Sequence, residues 1–317
     1  MISIVIEWDN VRLTNAPRAV RMLEELRRQV VDLDGRVEII LVHDPGELSS
    51  AEIEDVLGRT GFRSAGVDIR AVEADGEHYY EMKNIGAGLA RGPLVVFVDS
   101  DVIPEAGWLR SLLEPFARPD VDAVGGSAYV GPTRNTYEKA FALFWQFPLR
   151  SAGGAPTPQG WFWANSCAFR REVLAAHRWP RSPFIRYQNV LFNKSLTRAG
   201  VRIWRVPDAR AEHPLPRRMQ FVRTALSDGH DAAVRITAGS GWRRAVVGPP
   251  YALAMLAGRV LRYTRKILPA ERREAVGMTG AEIPAALAVA CAYAVVAFAG
   301  FVATIVAPDA VPRRFSV

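Results

Sequence analysis

Cysteine is scarce in this chain. Its 317 residues include two, Cys167 and Cys291, and the second lies inside a long apolar run. A disulfide framework is therefore not expected, and the pattern suits a reducing compartment. No Cys/His cluster has zinc spacing. Lysine is almost as rare, since all but four of the 40 basic residues are arginine, spread along the chain with Ala and Gly. The net charge of +7 thus lacks the clustering of a nucleic-acid footprint, and no nucleic-acid partner is expected. A basic n-region and a cleavage site are also missing, because Met1 leads straight into the strand-like run Ile2 to Ile6. No signal peptide is predicted. Charge itself is absent from 283 to 307.

Against these absences, the first hundred residues alternate regularly. Apolar runs at 2–6, 37–42, 67–72 and 94–98 read as strands. Helical spacing separates them at Val20, Leu23, Leu26 and Val30, at 51–57 and at 81–91. Asn15 is a candidate cap for the first helix, with Pro17 in its first turn. Strands that are apolar throughout predict a mostly parallel sheet covered by helices on both faces, an α/β architecture. Ligands bind such sheets at the carboxyl edge of the strands. Glu7, Asp44 and Asp99 each fall just past the end of a strand-like run. Later segments are less regular. They include strand-like 122–130 and 201–206, an aromatic stretch from Tyr137 to Phe147, and a helix-like stretch from Tyr187 to Ala199 closed by Gly200.

The sequence Asp99-Ser100-Asp101 ends the strongest strand. Two carboxylates at this spacing can share a divalent cation, which neutralises a diphosphate and stabilises it as a leaving group. A nucleotidyltransferase could use the same carboxylates. It would also need a basic, glycine-rich phosphate loop near the first strand, and none is present.

Tyr80-Glu81-Met82-Lys83-Asn84-Ile85-Gly86, then Ala90-Arg91-Gly92, then Val95 to Asp101, resemble the inverting family 2 glycosyltransferases over about residues 1–215. The resemblance implies a GT-A fold and a nucleotide-diphospho-sugar donor. By position, Glu7, Asp44, Lys83, Asn84 and Asp99 would line the donor site. Asp101 would be the main ligand of Mn2+ or Mg2+, with Asp99 beside it and His213 as a further ligand. Trp161, Trp163 and Asn165 would form the acceptor wall. The family's opening Pro-Thr-Tyr-Asn is replaced by Glu7-Trp8-Asp9-Asn10. The acidic pair that supplies its general base is replaced by Gln188 and Asn189. An amide cannot accept a proton at neutral pH. Either the acceptor is already an anion such as a lipid phosphate, or Asp208 or Glu212 serves as base, or the protein is an inactive binding or scaffold module. The Gln-x-x-Arg-Trp signature of processive synthases is absent, which implies transfer of one sugar.

The uncharged run 283–307 would measure about 37 Å as a helix, longer than a bilayer's hydrocarbon core. Arginines crowd its N-terminal side and only Arg313 and Arg314 follow it. A membrane-spanning helix with residues 1–215 on the cytoplasmic side of the cell (inner) membrane is the expectation, with a membrane lipid or lipid-linked acceptor. Between them, 216–281 reads as a basic linker. Within it, 246–258 is short, apolar and broken by Pro249-Pro250, which suggests an interfacial or re-entrant segment.

Overall fold

A computed structural model describes residues 1–9, 16–33, 36–62, 66–77, 79–215, 217–237, 246 and 248–314. The cap expected at Asn15, and Asn10, lie outside the described residues. The chain divides into two compact units: Met1–Tyr129 with Ser151–Arg181 and Gln188–Pro214, and Val130–Arg150 with Ser182–Tyr187 and Leu215–Val317. The division is thus not a single cut, because two short segments that interrupt the first unit, Val130–Arg150 and Ser182–Tyr187, belong with the C-terminal unit.

The first unit is built on one mixed sheet of nine strands. Four run parallel: β1 (Ile2–Glu7), β2 (Val37–His43), β3 (Asp68–Glu73) and β4 (Leu94–Asp99). The spatial order continues from β4 through β8 (Ser166–Arg170), β6 (Ala123–Val130) and β9 (Ile203–His213) to β5 (Ile103–Pro104), with β7 (Thr157–Pro158) beside β9. β8 lies antiparallel to both β4 and β6. Helices α1 (Ala16–Val31), α2 (Ser50–Thr60) and α3 (Tyr79–Leu89) connect the parallel strands. The expected α/β class with a mostly parallel central sheet is present. β9 is longer than the sequence suggested: it runs on to His213, so Glu212 and His213 lie within a strand.

Apolar residues on both faces of the sheet explain the burial. Ile4, Ile6, Ile39 and Leu41 join one core with α1 and α2, while Val5, Ile40 and Val42 join the other with α3. Alternate residues of a strand face opposite sides, so each strand feeds both cores. Helix α3 lies very close to the sheet at Gly86, where an added Cβ would run into Val5 and Val42. The Ala-Arg-Gly motif after α3 also has a structural explanation. Glu38 is buried on β2 and accepts bonds from Ser3 Oγ (2.6 Å), Arg91 N (2.7 Å) and Arg91 Nε (2.8 Å). Gly92 donates its N–H to the same Ser3 hydroxyl at 2.8 Å. Arg91 thereby neutralises a charge that burial would otherwise penalise. All of this lies at the amino ends of β1 and β2 and leaves the opposite edge of the sheet free for chemistry.

The remaining helices of the first unit are α4 (Trp108–Leu113), α6 (Arg171–Ala176) and α7 (Gln188–Arg198). The second unit is helical: α5 (Thr136–Phe144), α8 (Arg218–Thr237), α9 (Gly248–Ile267), α10 (Ala270–Glu274), α11 (Ile283–Val306) and α12 (Ala310–Arg314). Residues 248–258 of the segment 246–258 form the first half of α9. Pro249 and Pro250 occupy its first turn, where a missing N–H costs nothing and the fixed φ suits a helix start. α11 is the one described helix long and apolar enough to cross a membrane.

Candidate active site

Parallel strands bring their carboxyl ends to one edge. In register, Glu7 on β1 lies opposite Val42 on β2 and Asp99 on β4. Asp44 follows β2 directly. β8 runs the other way, with Val98 opposite Ser166, so Asn165 enters that strand at the level of Asp99. The sheet therefore gathers Glu7, Asp44, Asp99, Asp101 and Asn165 at one edge.

Asp99 is held by two groups from α3. Lys83 Nζ donates to Oδ1 at 2.6 Å and Tyr79 Oη to Oδ2 at 2.7 Å. Tyr79 and Lys83 are one turn apart, so both face the strand end. The ammonium also lies 4.6 Å from the Tyr79 ring centroid. Lys83 is fully buried, which excludes an ordinary solvated helix residue. Tyr79 went unnoticed in the sequence, although its spacing from Lys83 was the available signal. Burial, and then the charge of Asp99, push the Tyr79 hydroxyl well above its ordinary value.

Glu7 is completely buried and accepts the Asp9 N–H at 3.0 Å. Burial first, and the charge of Asp99 second, raise its carboxyl well above the ordinary range. The same two causes push Asp101 up to about 8. Asp101 Oδ1 and Ser100 Oγ are buried without a hydrogen-bond partner, as is Asn165 Oδ1. Asp44 is half-buried, and its Oδ1 accepts the Gly46 N–H at 2.8 Å.

Arg18 closes the turn after β4. Its Nε donates to the Asp101 carbonyl at 2.6 Å, and its other nitrogens to Glu212 Oε1 (3.0 Å) and the Glu212 carbonyl (2.8 Å). Glu212, one of the alternative bases, is thus paired with a guanidinium. Asp208 is four residues upstream, about 13 Å along the strand, and faces Arg210 at 3.7 Å. His213 Nδ1 lies 2.8 Å from the Pro214 carbonyl. Among the described residues no three His, Cys, Asp or Glu side chains form a preformed metal cluster, so His213 does not complete a triad with Asp99 and Asp101. The residues nonetheless fit a divalent cation. Asp101 offers an unpartnered buried oxygen, and burial together with the charge of Asp99 raises its proton affinity. Mg2+-type sites commonly take one or two carboxylates and complete their shell with substrate phosphates and water.

The expected acceptor wall is held by side-chain amides. Asn189 Nδ2 donates to the Phe162 carbonyl at 2.8 Å, and Asn189 Oδ1 accepts Trp179 Nε1 at 3.4 Å. Asn193 Oδ1 accepts the Phe162 N–H at 2.8 Å. Asn84 grips Trp179 from both sides, donating to its carbonyl and accepting its N–H, each at 3.0 Å. The amide groups of Asn84 and Asn189 are therefore engaged with the fold, and Gln188 is buried at the start of α7. Phe162, fixed in this way, carries its neighbours Trp161 and Trp163. Their rings meet edge to face at 5.0 Å, with Trp161 44% exposed. α7 contains no carboxylate.

The family profile described as Glycosyl transferase family 2 matches residues 11–201, more than half of the chain. Among solved structures, one similar to this chain is the mannosyltransferase PcManGT from Pyrobaculum calidifontis, in complex with GDP-Man and Mn2+. It shows 16% identity and a TM-score of 0.51 over 99% of this chain and 83% of that one. Another is TarS 1-349 of S. aureus, with 13% identity and a TM-score of 0.50 over 95% and 90%. At these identities the likeness speaks for the fold. No curated protein sequence matches.

Proposed function

Because the chain belongs to glycosyl transferase family 2, with a GT-A fold and a nucleotide-sugar chemistry, we propose that it moves one sugar from a nucleotide-diphospho-sugar to an anionic, membrane-associated acceptor, with inversion. The acceptor class is a lipid phosphate, with a glycolipid as the neutral alternative. The observation that carries the reading is the acidic edge of the sheet, where Asp101 presents a buried, unpartnered carboxylate oxygen.

In this reading Asp44 and Glu7 line the nucleotide side. Lys83, clamped on Asp99, fixes that carboxylate and adds positive charge beside the diphosphate. Asp101 and Asp99 would hold Mn2+ or Mg2+, which supplies charge neutralisation to the departing diphosphate. Burial and the charge of Asp99 raise the Glu7 carboxyl well above its ordinary value, which favours its neutral form and limits repulsion of the donor. Trp161 and Trp163 offer aromatic faces to the acceptor, and Asn165 a polar contact. An acceptor oxygen attacks the anomeric carbon from the face opposite the leaving group. The bond to the diphosphate breaks, and the nucleoside diphosphate leaves with the electron pair.

The missing base supports an anionic acceptor. Asn189 is bound to Phe162 and Trp179, and Glu212 is paired with Arg18, so no carboxylate on α7 or at the end of β9 stands ready to take a proton. A phosphate oxygen needs none. The same absence is what favours a second reading, a non-catalytic donor-binding module. Residues 1–215 would lie on the cytoplasmic side of the cell membrane, held there through the C-terminal helices.

The test is a screen of nucleotide-sugars on the full chain in detergent, with and without Mn2+, reading released nucleoside diphosphate. Polyprenyl phosphate and a neutral glycolipid serve as alternative acceptors. Turnover with the phosphate, lost in Asp101→Asn, supports the reading. Donor binding without turnover favours the binding module, and full activity in Asp101→Asn rejects the metal role.

A further inference from the structure

The apolar helix α11 does not meet apolar groups alone. Tyr293 is the eleventh of its 24 residues, close to mid-length. Its hydroxyl donates to Asp228 Oδ2 on α8 at 2.7 Å. Asp228 Oδ1 pairs with Arg186 at 3.0 Å, and Arg259 on α9 donates to the Asp228 carbonyl at 3.1 Å. One turn from the far end of α11, Thr304 Oγ1 lies 3.0 Å from His230 Nδ1. Next to His230, the Asp231 carboxylate accepts the backbone N–H groups of Ile185, Arg186 and Tyr187 at 2.7–2.9 Å. All of these groups belong to the helical unit. The packing that holds α8 against α11 is tight. A Cβ added at Gly229 would strike the Ala297 carbonyl, and one at Gly300 would strike Leu226.

A helix that crossed the bilayer would carry this network to mid-membrane depth. Charged groups there are expensive and are found facing a bundle interior or a water-filled cavity. Here Asp228 and His230 bond to a single apolar helix, and Arg186, Arg259 and Asp231 belong to the same network behind them. Length allows α11 to span, but its companions do not suit that position.

The opposite side of α11 is different. Ala288, Ala292, Val295, Ala299, Val302 and Val306 recur at four- and three-residue spacing and are exposed, with Val295 at 54%. This is one straight stripe along the helix. α9 runs antiparallel beside α11, with Tyr251 against Phe301 and Tyr263 against Tyr293. It too exposes leucines, Leu253 at 63% and Leu261 at 51%. Arg262 and Arg265 follow on the same helix and are exposed.

We propose that the helical unit docks on an anionic bilayer surface with α11 lying in the membrane plane. The α11 stripe and the α9 leucines enter the outer part of one leaflet, while Arg262 and Arg265 meet headgroup phosphates. Helices that lie in an interface bury one apolar face in this way and keep their polar side in the headgroup region or in protein. A bilayer fits better than a protein partner. The stripe offers no hydrogen-bonding side chain over six positions, whereas protein interfaces carry about one hydrogen bond per 100–200 Å². The inference concerns placement on the membrane, and it holds whether or not sugar transfer is confirmed.

Spin labels at Ala288→Cys, Val295→Cys and Val302→Cys, placed singly in the full-length Cys291→Ser protein, test it on phosphatidylcholine/phosphatidylglycerol vesicles. Cys167 is buried and stays silent. In-plane docking gives three equal, shallow depths. A crossing helix puts the label at 295 deeper than those at 288 and 302 by about 10 Å, seven residues of helical rise, and that result overturns the proposal. Labels that all remain in water, with no protein sedimenting with vesicles, overturn it as well. Arg262→Gln with Arg265→Gln is expected to weaken vesicle binding roughly 25-fold, the product of about fivefold per arginine. Unchanged binding overturns the anionic-surface assignment. Donor turnover measured on the same samples keeps the two readings separate: loss of turnover with docking intact counts against transfer alone.

Discussion

Replacing Lys83 by methionine removes one buried charge and little volume. Lys83 is fully buried, and its ammonium is 2.6 Å from Asp99 Oδ1. The carboxylate left behind would share its edge with Glu7 and Asp101, both already pushed toward neutrality by burial and by Asp99 itself. Breaking a buried pair from one side costs about 3–5 kcal/mol. With about 2–4 °C per kcal/mol for a domain of this size, the variant should melt roughly 6–20 °C below wild type at pH 7. Asp99→Asn in the Lys83→Met background should restore most of the loss. Circular dichroism melts of the full chain in detergent and EDTA at pH 7 provide the measurement. A deficit smaller than about 1 kcal/mol, or one that Asp99→Asn leaves unrelieved, would refute the idea that the ammonium is there to balance the acidic edge.

Asp101→Asn should abolish metal-dependent release of nucleoside diphosphate and remove the rise in melting temperature that Mn2+ and donor together give the wild type; a retained rise would point to another cation site. Asn189→Asp should not produce a better enzyme, because a carboxylate facing the Phe162 carbonyl sets two acceptors against each other and leaves that carbonyl only the 3.2 Å bond from Asn193 in place of the 2.8 Å one, at a cost of about 1–3 kcal/mol; a raised acceptor KM with unchanged donor KM is expected, and an increase in kcat would contradict it. Gly86→Ala should destabilise by about 1–3 kcal/mol, because the new methyl meets Val5 and Val42; a neutral urea midpoint would show that α3 can lift from the sheet. Glu38 gives a pH dependence. Burial raises its carboxyl, but bonds from Ser3 and Arg91 outweigh that and hold it below the ordinary value. Its stabilisation is therefore present above the unfolded pKa and is lost as pH falls through the lower folded one. Acid titration of Glu38→Gln should show a shallower loss of stability below about pH 4.5 than wild type, and parallel curves would count against it.

The amino-acid sequence on its own determined the alternating strands and helices of the first hundred residues, and with them the parallel sheet and its acidic carboxyl edge. The reason is local: strand runs that are apolar on both faces admit few other arrangements, and Asp99-Ser100-Asp101 follows the clearest of them. The family motif was also legible, since Lys83, Ala90-Arg91-Gly92 and the carboxylates are close together in the chain. Partners far apart in sequence were not legible. Nothing near Lys83 announces that Asp99 takes its ammonium, nothing near Arg18 that it ties Asp101 to Glu212, and nothing near Asn189 that its amide is spent on Phe162 and Trp179. β9 looked shorter because its second half is polar, yet sheet pairing carries it on to His213. The C-terminal helices show the same limit most clearly. Hydrophobicity is a property of a segment, and it marked α11 as membrane-seeking. Which side of that helix meets lipid depends on what packs against the other, and only the tertiary structure sets Asp228, His230 and Arg259 there, because hydrogen-bonding groups on three helices can be satisfied only by one another once folding has brought them together.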